Sequence, residues 1–592
     1  MENKFNNFIE NTFALPENEG EDKVMDLKEA VERHIHPGAN IHVAVTHCCS
    51  YAAVLEIARR FHGTRPDFTL IMRGIRDTVI ILLHMGLIKK VITAFSGNVY
   101  PSYGPNPICQ KAYAEKNVEL EEWTILSFPL RLMAGALGVP AMPTKSLLGS
   151  SLAETNHQNF RKIDDPFGTD RPMGLVKALN PDISIVHGAV ADREGNTILT
   201  APYSESLWGA KASKGGVLVT VEKIVSTEFI RRHAHLVKLP AYMVKSVSET
   251  PLGAHPGGVW HQGLEDFEPY GEDYEFMTEF NKACKNPEEL DRWIENRVFD
   301  CPTHEDYRTK LGAERILSLK GSTHKDSWRY ELAEVREKIS DDPLPNVTEQ
   351  MVVIAARIIR ERILKAGHCT MLAGAGTANL AAWLAKYQLK NQGRVVELMV
   401  ELGYFGNSPR PAEPFLLNFD NFSTCKMLTE TTDTLGVFTS GATNRCLGVL
   451  GAAQIDKFGN INSSWVSENM YVTGSGGAND VATGACETMV IMRQSRRRFL
   501  EKVPFITAPG HRIRTLVSGM GVFEKLGTDD TFTLTRVFSG PNETDADKTV
   551  EKIREKCGWQ LKTADNLQVI GPPEPDELRL LRLFDPHRYY LK

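Results

Sequence analysis

The strongest constraint on the fold is a unit that occurs twice in this chain of 592 residues. It consists of an amphipathic helix, a glycine and a short apolar strand, at residues 27–36, 38 and 41–45 and again at 348–365, 367 and 368–372. Glycine ends helices because it adopts left-handed backbone angles at little steric cost. Strands that alternate with helices along a chain favour a parallel sheet covered by helices. The repeat therefore predicts two related α/β domains in tandem, each an open, mostly parallel, Rossmann-like sheet.

A turn motif repeats in the same order as the helix and strand. Residues 192–196 read DREGN, and residues 456–460 read DKFGN. In each, the aspartate can accept hydrogen bonds from the turn, and the glycine supplies a positive φ angle. This second repeat supports two related domains.

The charged segment 321–345 lies between the two repeats and ends in Pro343 and Pro345. It has little apolar periodicity, which is typical of a linker. Residues 1–22 are polar and are expected to form a tail. The predicted organisation is a tail (1–22), a first domain (23–320), the linker (321–345) and a second domain (346–592).

Composition indicates a cytoplasmic protein and excludes several classes of function. The net charge of −6 gives no signature of binding to nucleic acid or to an anionic membrane. The ten cysteines include no C-x-x-C pair and are expected to be reduced. The first residues lack an apolar signal core, and the most apolar stretch, 78–88, is too short to span a bilayer.

Glu401 is the leading candidate for a catalytic residue. It follows an apolar strand predicted over residues 395–400, and Gly403, Gly406 and Pro409 then interrupt the regular pattern. In open α/β sheets, ligand sites gather beyond the carboxyl ends of the strands. A glutamate there can act as a nucleophile or base, although a strand-end glutamate that points into water fits the same position.

Two glycine-rich segments are candidates for binding an anion. Residues 473–479 (TGSGGAN) precede a helix predicted over 481–488, and their N–H groups can face an oxyanion or phosphate. An ordinary glycine-rich turn explains the same residues. Gly374 and Gly376 form half of a dinucleotide fingerprint, with Asn379 at the position of its third glycine. That pair fits an anionic ligand, a nicotinamide cofactor, or tight helix–strand packing.

Several of these segments, in this order, resemble glutaconate CoA-transferase. In the second half, the resemblance is to its B subunit and lies in residues 401–403 (ELG), 408–409 (SP), 453–462 (AQIDKFGNIN), 473–479, 497–499 (RRF) and 508–510 (APG). In the first half, the resemblance is to its A subunit and lies in residues 51–54 (YAAV), 163–167 (IDDPF), 228–232 (EFIRR), 253–256 (GAHP), 298–300 (VFD) and 310–312 (KLG). The chain thus resembles a class I CoA-transferase with its A and B subunits fused.

The resemblance implies a ping-pong transfer of CoA from an acyl-CoA to a carboxylic acid, with the active site between the domains. Glu401 would be the nucleophile that carries CoA as a glutamyl thioester. Binding of CoA or of the oxyanion would fall to Gly474, Gly476, Gly477, Ala478 and Asn479. Coenzyme A enters as a substrate, and neither a metal nor a nucleotide cofactor is expected. The resemblance also implies a homodimer of the fused unit.

One segment departs from the family pattern. Residues 46–50 (THCCS) stand where the family's A-type half usually has a glycine-rich segment. We expect His47, Cys48 and Ser50, with Gly374 and Gly376, to shape the acyl pocket, so glutaconate is not assumed to be the substrate. Two alternatives remain open at this stage. One is an acyl-CoA hydrolase or ring-opening hydrolase on the same fold, and the other is a dinucleotide-dependent oxidoreductase or binding protein.

Overall fold

The first half of the chain folds around one open parallel sheet. A computed structural model describes residues 2–45, 48–168, 171–260, 263–265, 267–538 and 546–592, without the side chains of residues 2 and 546. The strands of this sheet are β1 (Asn40–Val43), β2 (Phe68–Ile71), β3 (Ile88–Thr93), β4 (Glu119–Glu122), β5 (Ile183–Asp192), β6 (Thr197–Ile198), β7 (Val217–Val225) and β8 (Val244–Glu249). Seven strands are parallel in the order β8-β7-β5-β1-β2-β3-β4, and β6 pairs antiparallel with β5. β5 is buried along its whole length, as expected for a central parallel strand covered on both faces.

The second half is built on a mixed sheet of ten strands. These strands are β9 (Thr370–Ala373), β10 (Glu397–Val400), β11 (Tyr404–Asn407), β12 (Met427–Leu428), β13 (Cys446–Leu450), β14 (Glu487–Ile491), β15 (Ile513–Val517), β16 (Gly521–Glu524), β17 (Thr533–Phe538) and β18 (Lys562–Ile570). Their order is β12-β11-β10-β9-β13-β14-β15-β16-β17-β18. The central run β10-β9-β13-β14-β15 is parallel. The carboxyl ends of these strands therefore meet at one edge of the sheet.

Helices cover both sheets. The α-helices are α1 (Glu2–Phe13), α2 (Leu27–His34), α3 (Tyr51–Arg60), α4 (Ile80–His84), α5 (Pro107–Ala114), α6 (Ser127–Leu137), α7 (Ser151–Thr155), α8 (Ser206–Ala212), α9 (Thr227–Arg232), α10 (Tyr274–Ala283), α11 (Pro287–Ile294), α12 (His304–Leu311), α13 (Ala313–Gly321), α14 (Ser327–Val335), α15 (Val347–Ala366), α16 (Thr377–Asn391), α17 (Phe419–Phe422), α18 (Ala478–Gly484), α19 (Ala546–Glu555) and α20 (Pro575–Phe584). Short strands at 74–75, 95–96, 141–144, 160–163, 173–177, 454–456, 461–462, 465–467, 470–471 and 499–500 form small separate sheets. Within the described ranges, no helix combines the length and apolar character needed to cross a bilayer.

The repeated unit forms in both halves for local reasons. The side chain of Asp26 accepts a hydrogen bond from the Lys28 N–H at the start of α2. At the start of α15, Asn346 and Glu349 form a reciprocal capping box, and Gly367 ends the helix with φ of 68°. The strand after each helix lies inside its parallel sheet. The predicted fold class, two mostly parallel α/β domains in tandem, is therefore confirmed.

The two repeated turns share one hydrogen-bond pattern. The Asp192 carboxylate accepts from the N–H groups of Gly195 and Asn196 and from the Asn196 side chain. The Asp456 carboxylate likewise accepts from the backbone and side chain of Asn460. Gly195 and Gly459 have φ of 110° and 77°, values that favour glycine.

Sequence patterns misplaced some elements. The predicted helix over 481–488 is wrong in its second part, because α18 ends at Gly484 and β14 begins at Glu487. Pairing of β14 between β13 and β15 overrides the local helical pattern. Helix α14 lies in the predicted linker and α1 in the predicted tail, whereas neither was anticipated.

A glycine-rich loop of the second half is bound by the backbone of the first half. The Ser96 N–H donates to the Thr473 carbonyl at 2.9 Å, and the Gly476 N–H donates to the Ala94 carbonyl at 2.9 Å. The Ile125 N–H donates to the Gly476 carbonyl at 3.1 Å. Through these bonds the loop pairs with the backbone of the first half, so the position of the loop depends on both halves.

Asp480 makes a second, side-chain connection between the halves. Its buried carboxylate accepts from the hydroxyls of Thr124 and Ser146, each at 2.6 Å, and from the Leu126 N–H at 3.0 Å. All three donors belong to the first half. Burial raises the pKa of Asp480 to about 6, and these hydrogen bonds oppose that rise.

We expect Asp480→Ala to lower the stability of the chain by about 3 kcal/mol, because it leaves buried donors without an acceptor. Differential scanning calorimetry will measure this as a lower melting temperature. Asp164→Ala, at an exposed position, is the control and should have the same melting temperature as the wild type. Equal melting temperatures for Asp480→Ala and the wild type would contradict a structural role for this carboxylate.

Candidate active site

A cavity of about 520 Å³ lies between the two halves of the chain. The first half contributes Arg73, Arg76 and Tyr103, and the second half contributes Glu401 and the glycine-rich loop. The carboxyl ends of the central parallel strands of the second sheet open into this cavity. That position is the usual one for a ligand site in an open α/β sheet.

The backbone around Glu401 fixes where its side chain enters the cavity. Glu401 directly follows β10, and the Thr434 hydroxyl donates to its carbonyl at 2.9 Å. Gly403 has φ of 112°, and a Cβ there would lie 2.2 Å from the Thr429 carbonyl oxygen. This tight turn reverses the chain into β11, which pairs antiparallel with β10. The strand end and the turn together hold Glu401 at the cavity wall.

The Glu401 carboxylate touches the glycine-rich loop directly. A Cβ built on Gly477 would lie 2.2 Å from Oε2 of Glu401, so only glycine fits beside this carboxylate. Burial raises the pKa of Glu401 to about 7, while the charge of Arg73 and the Gly477 N–H lower it. The nearby charge of Asp480 adds to the rise. Glu401 is therefore a weakly hydrated carboxyl group that ionises close to neutral pH.

Three of the loop amides already donate hydrogen bonds within the protein, and the binding role expected of this loop stays a prediction. The Gly474 N–H donates to the Ser463 carbonyl at 3.1 Å, the Gly476 N–H donates to the first half, and the Ala478 N–H donates to the Ser475 carbonyl at 3.1 Å. The Gly477 N–H is close enough to Glu401 to lower the pKa of its carboxyl group. Gly474, Gly476, Gly477 and Ala478 line the cavity, and in this conformation the N–H groups of Gly474, Gly476 and Ala478 are bonded to backbone carbonyls.

Asn479 also differs from its predicted role. Its side chain donates to the Thr507 carbonyl at 2.9 Å and accepts from the Leu147 N–H at 2.8 Å. It is fully buried and does not line the cavity. By contrast, the hydroxyl of Ser475 lines the cavity, is buried, and has no hydrogen-bond partner among the described residues. Ser475, rather than Asn479, offers a polar group to a ligand.

Two arginines of the first half line the same cavity as Glu401 and were missed by sequence reasoning. Arg73 is nearly buried, and its guanidinium binds Glu205 at 3.1 Å and the Val45 carbonyl at 3.1 Å. Arg76 binds the Asp77 carboxylate at 2.8 Å. Both arginines follow the apolar strand β2. The strand-end argument that identified Glu401 would have found them.

Gly374 and Gly376 lie in the cavity wall at the turn from β9 to α16. Gly376 has φ of 89° and precedes the helix without a side-chain cap. The first N–H groups of an α-helix have no partner within the helix and carry partial positive charge. The cavity therefore contains a helix N-terminus close to the strand that carries Glu401.

The structure places the described part of the segment 46–50 outside the lining of this cavity. Cys48 is buried and donates to the His187 carbonyl at 3.2 Å, and burial raises its pKa to about 12. Ser50 is buried and bonds to Thr220 at 2.7 Å. Neither lines the cavity, since Cys48 bonds to β5 and Ser50 bonds to β7. His47 lies outside the described residues.

Candidate metal ligands do not assemble in the described ranges, where no group of three or more His, Cys, Asp or Glu side chains is arranged to hold an ion. The charged side chains that line the cavity are instead one carboxylate, that of Glu401, and several cationic groups. This arrangement suits a nucleophilic carboxylate and an anionic ligand.

Comparisons with known proteins identify a family for this chain. A sequence model of the family described as coenzyme A transferase matches residues 24–250 and 431–523, just over half of the chain. The A subunit of glutaconate CoA-transferase from Acidaminococcus fermentans is 28% identical over 314 residues, which are 50% of this chain and 94% of that protein. The B subunit of the same enzyme is 35% identical over 117 residues, which are 19% of this chain and 39% of that protein.

A solved structure has the same fold as this chain over both halves. The acyl-CoA transferase YdiF of E. coli O157:H7, in a thioester complex with CoA, covers 96% of this chain and 97% of its own, with a TM-score of 0.62 and 14% identity. At this identity the likeness shows the fold alone. It extends over both halves, so the tandem arrangement is common to the two proteins.

We expect Glu401→Gln to stabilise the chain at about pH 8 and to have little effect at about pH 5. The pKa of Glu401 is about 7, above the value of about 4.3 for an unfolded chain. A raised carboxyl pKa contributes stability at low pH, and that stability is lost as pH rises through 4 to 7. Glutamine avoids the cost of burying a charge, roughly 3 kcal/mol above pH 7.

Melting temperatures at the two pH values will measure this difference. Glu468→Gln, at an exposed position, is the matched control and should show no pH-dependent gain. A Glu401→Gln variant that is less stable than the wild type at both pH values would show that the carboxylate is stabilising instead.

Proposed function

Because this chain belongs to the coenzyme A transferase family and is a CoA-transferase, we propose that Glu401 moves CoA from an acyl-CoA to a carboxylic acid through a covalent glutamyl intermediate. The observation that carries the proposal is the position of Glu401. Its carboxylate lies in a cavity walled by both halves, at a strand end, with its pKa raised to about 7 by burial. We further propose that residues 23–320 and 346–592 are the A-like and B-like domains, and that the fused unit pairs as a homodimer.

In the proposed first half-reaction, a carboxylate oxygen of Glu401 attacks the thioester carbon of the acyl-CoA. The C–S bond breaks, CoA leaves as its thiolate, and an acyl-glutamyl anhydride forms. The thiolate then attacks the glutamyl carbonyl carbon, which releases the donor acid as a carboxylate and leaves CoA as a thioester on Glu401. The acceptor acid reverses these steps. Each step exchanges one nucleophile for another, so no net proton transfer is required.

The environment of Glu401 fits a nucleophile of this kind. A carboxylate is strongly hydrated in water, and its removal from water makes it more reactive when it is fixed next to the reacting carbon. Arg73 and the Gly477 N–H keep a fraction of Glu401 ionised despite burial. The attack requires the ionised form, so the proposed rate falls as pH drops below about 7.

Donors for the tetrahedral oxyanion are available elsewhere in the cavity. The N-terminus of α16 at Gly376 and the hydroxyl of Ser475 both line the cavity. Removal of one well-placed oxyanion donor typically costs about 3 kcal/mol of transition-state stabilisation. We assign this role to Ser475 and the α16 N-terminus, in place of the amides of Gly474, Gly476 and Ala478.

Relatives support the proposal at different strengths. YdiF, which shares the fold, has been captured as a thioester complex with CoA. The two subunits of glutaconate CoA-transferase resemble different parts of this chain. Glu401 itself lies between the two segments matched by the family model, so its role rests on its position in the cavity.

We expect incubation with a reactive acyl-CoA, without an acceptor acid, to add the mass of CoA less one water to the wild-type chain, because the glutamyl thioester forms with loss of one carboxyl oxygen to the released acid. Glu401→Gln should gain no mass, because an amide cannot form the anhydride. Intact-protein mass spectrometry over a panel of acyl-CoA donors will measure the adduct. Peptide mapping should place it on the peptide that contains Glu401.

Two other outcomes would reject transfer through Glu401. Continuous release of free CoA without an adduct, in the absence of an acceptor, would indicate an acyl-CoA hydrolase. An adduct that persists in Glu401→Gln would place the nucleophile at another residue.

We expect Gly477→Ala to reduce adduct formation by about 100-fold, because the methyl group displaces the carboxylate of Glu401. Gly477 has φ of −88°, which alanine also adopts, so the effect is steric contact rather than backbone strain. Gly104→Ala is the control, since it adds a methyl group to the same cavity with no atom within 4 Å. Equal rates of adduct formation in the two variants would contradict the assigned contact.

A further inference from the structure

Helix α1 carries an apolar face that the described parts of the chain leave uncovered. Each residue from 3 to 15 is exposed. Apolar side chains at positions 5, 8, 9 and 13 share one side of the helix because of their spacing, and Leu15 follows it. Their exposed fractions are 63% for Phe5, 61% for Phe8, 37% for Ile9, 73% for Phe13 and 70% for Leu15. Such a cluster on one surface marks an interaction site.

Contacts with α9 fix where α1 leaves the body of the protein. The Arg231 guanidinium donates to the Pro16 carbonyl at 2.7 Å and pairs with the Glu19 carboxylate at 2.7 Å. The Glu228 N–H donates to the Glu17 carbonyl at 3.0 Å. These contacts lie just after the end of α1. The helix is therefore attached to the first half through the segment that follows it, while its own apolar face stays exposed.

A helix like α1 needs a surface to pack against. It has 12 residues, and helices of this length are marginal in water when isolated. Asparagine, a weak helix former, occupies positions 3, 6, 7 and 11. Most of the stability of a short helix comes from packing of its apolar face. Since the described parts of the chain do not cover that face, the covering surface belongs to another molecule.

The apolar positions of α1 are arranged to match a second copy of the same helix. Phe5 and Phe13 each lie four residues from Ile9, on opposite sides of it. In an antiparallel pair with a two-fold axis at Ile9, each Ile9 meets its own copy, and each Phe5 meets Phe13 of the second copy. Phe8 packs beside the axis. A two-fold interface uses the same patch on both subunits, so one patch that complements itself is sufficient.

The uncovered area is large enough for a contact between two copies. A free aromatic side chain offers about 150–250 Å² to a partner. Covering the five exposed apolar side chains on both copies therefore removes roughly 1,000 Å² of surface from water. A specific interface between proteins needs about 1,000 Å². The paired helices reach this limit.

Charge argues against a membrane as the covering surface. Residues 2–22 contain six acidic residues and one lysine. Helices that lie on membranes usually carry lysine and arginine on their polar face, which bind anionic lipids. The polar face of α1 is rich in asparagine instead. An anionic bilayer would repel this segment, whereas an identical helix offers a matching apolar face.

We propose that α1 pairs antiparallel with α1 of a second copy of this chain, with the two-fold axis close to Ile9. This assignment rests on the homodimer that is part of the proposed function, and it names the surface through which the two copies join. Pairing covers the apolar face and stabilises both helices at once. The contacts between Arg231 and the segment after α1 set the direction in which each helix is presented.

A cysteine crosslink tests the position of the axis. We expect Ile9→Cys, oxidised by dissolved oxygen with a copper catalyst, to form a disulfide with its own copy and to double the mass of the chain. Non-reducing electrophoresis and peptide mapping will measure the crosslink. Asn7→Cys lies on the opposite side of α1 and is the matched control, with a yield at least about tenfold lower. The wild type gives the background from its exposed cysteines, Cys369 and Cys486. Equal yields for the two variants, or no yield above background, would overturn the proposal.

Loss of the apolar side chains tests what holds the copies together. We expect the double variant Phe5→Ser, Phe13→Ser to raise the dissociation constant of the dimer at least about 100-fold, because each copy loses two buried aromatic side chains. Sedimentation velocity over a range of protein concentrations will measure this constant. Asn3→Ser, Asn11→Ser changes the opposite side of α1 and is the control, with a dissociation constant within about threefold of the wild type. All four positions are exposed, so the rest of the fold does not depend on them.

These outcomes separate the inference from the proposed function. A wild-type chain that stays monomeric would refute both the homodimer and the pairing of α1. A dimer that is unaffected by Phe5→Ser, Phe13→Ser would retain the homodimer and reject α1 as its interface. Binding of the wild type to phosphatidylcholine–phosphatidylserine vesicles, lost in that double variant, would assign the apolar face to a membrane and overturn the proposal. An α1 crosslink without an adduct on Glu401 would retain the pairing and reject the covalent mechanism.

Discussion

The contact between Gly477 and the Glu401 carboxylate depends on the backbone pairing of the glycine-rich loop with the first half. The loop belongs to the second half, yet the hydrogen bonds of Thr473 and Gly476 are made to residues 94–125. Asp480, at the start of the next helix, adds bonds to the same region. The geometry around Glu401 is therefore set by both halves together. Neither half alone has the atoms to form it.

Burial raises the pKa of the Glu401 carboxyl group, and nearby positive charge opposes that rise. Arg73 is itself paired with Glu205, so it provides a positive field at Glu401 without forming a full ion pair. A direct salt bridge would hold the carboxylate ionised but would also reduce its nucleophilicity. Burial and these opposing charges together raise the pKa of Glu401 to about 7, so the group is partly ionised near neutral pH while it stays weakly solvated.

The sequence predicted the fold class because helix, glycine and strand signals recur in the same order. It also predicted that Glu401 stands at a strand end, since an apolar run followed by glycines is a local signal. Prediction from the sequence failed where contacts between separate segments decide which groups face the cavity. The amides of Gly474, Gly476 and Ala478 donate to the carbonyls of Ser463, Ala94 and Ser475. Cys48 donates to the His187 carbonyl of a neighbouring strand. Arg73 and Arg76 follow the apolar run 68–72, so the strand-end pattern that indicated Glu401 applies to them as well.

One covalent chain carries both walls of the cavity, which has a consequence for assembly. Docking of the two halves is intramolecular, so its equilibrium is governed by an effective concentration rather than by the amount of protein present. Helix α14 lies in the connection and packs its Ser327 hydroxyl against Asp420 of the second half. Dilution therefore does not separate the walls, and the two halves are always supplied in equal numbers.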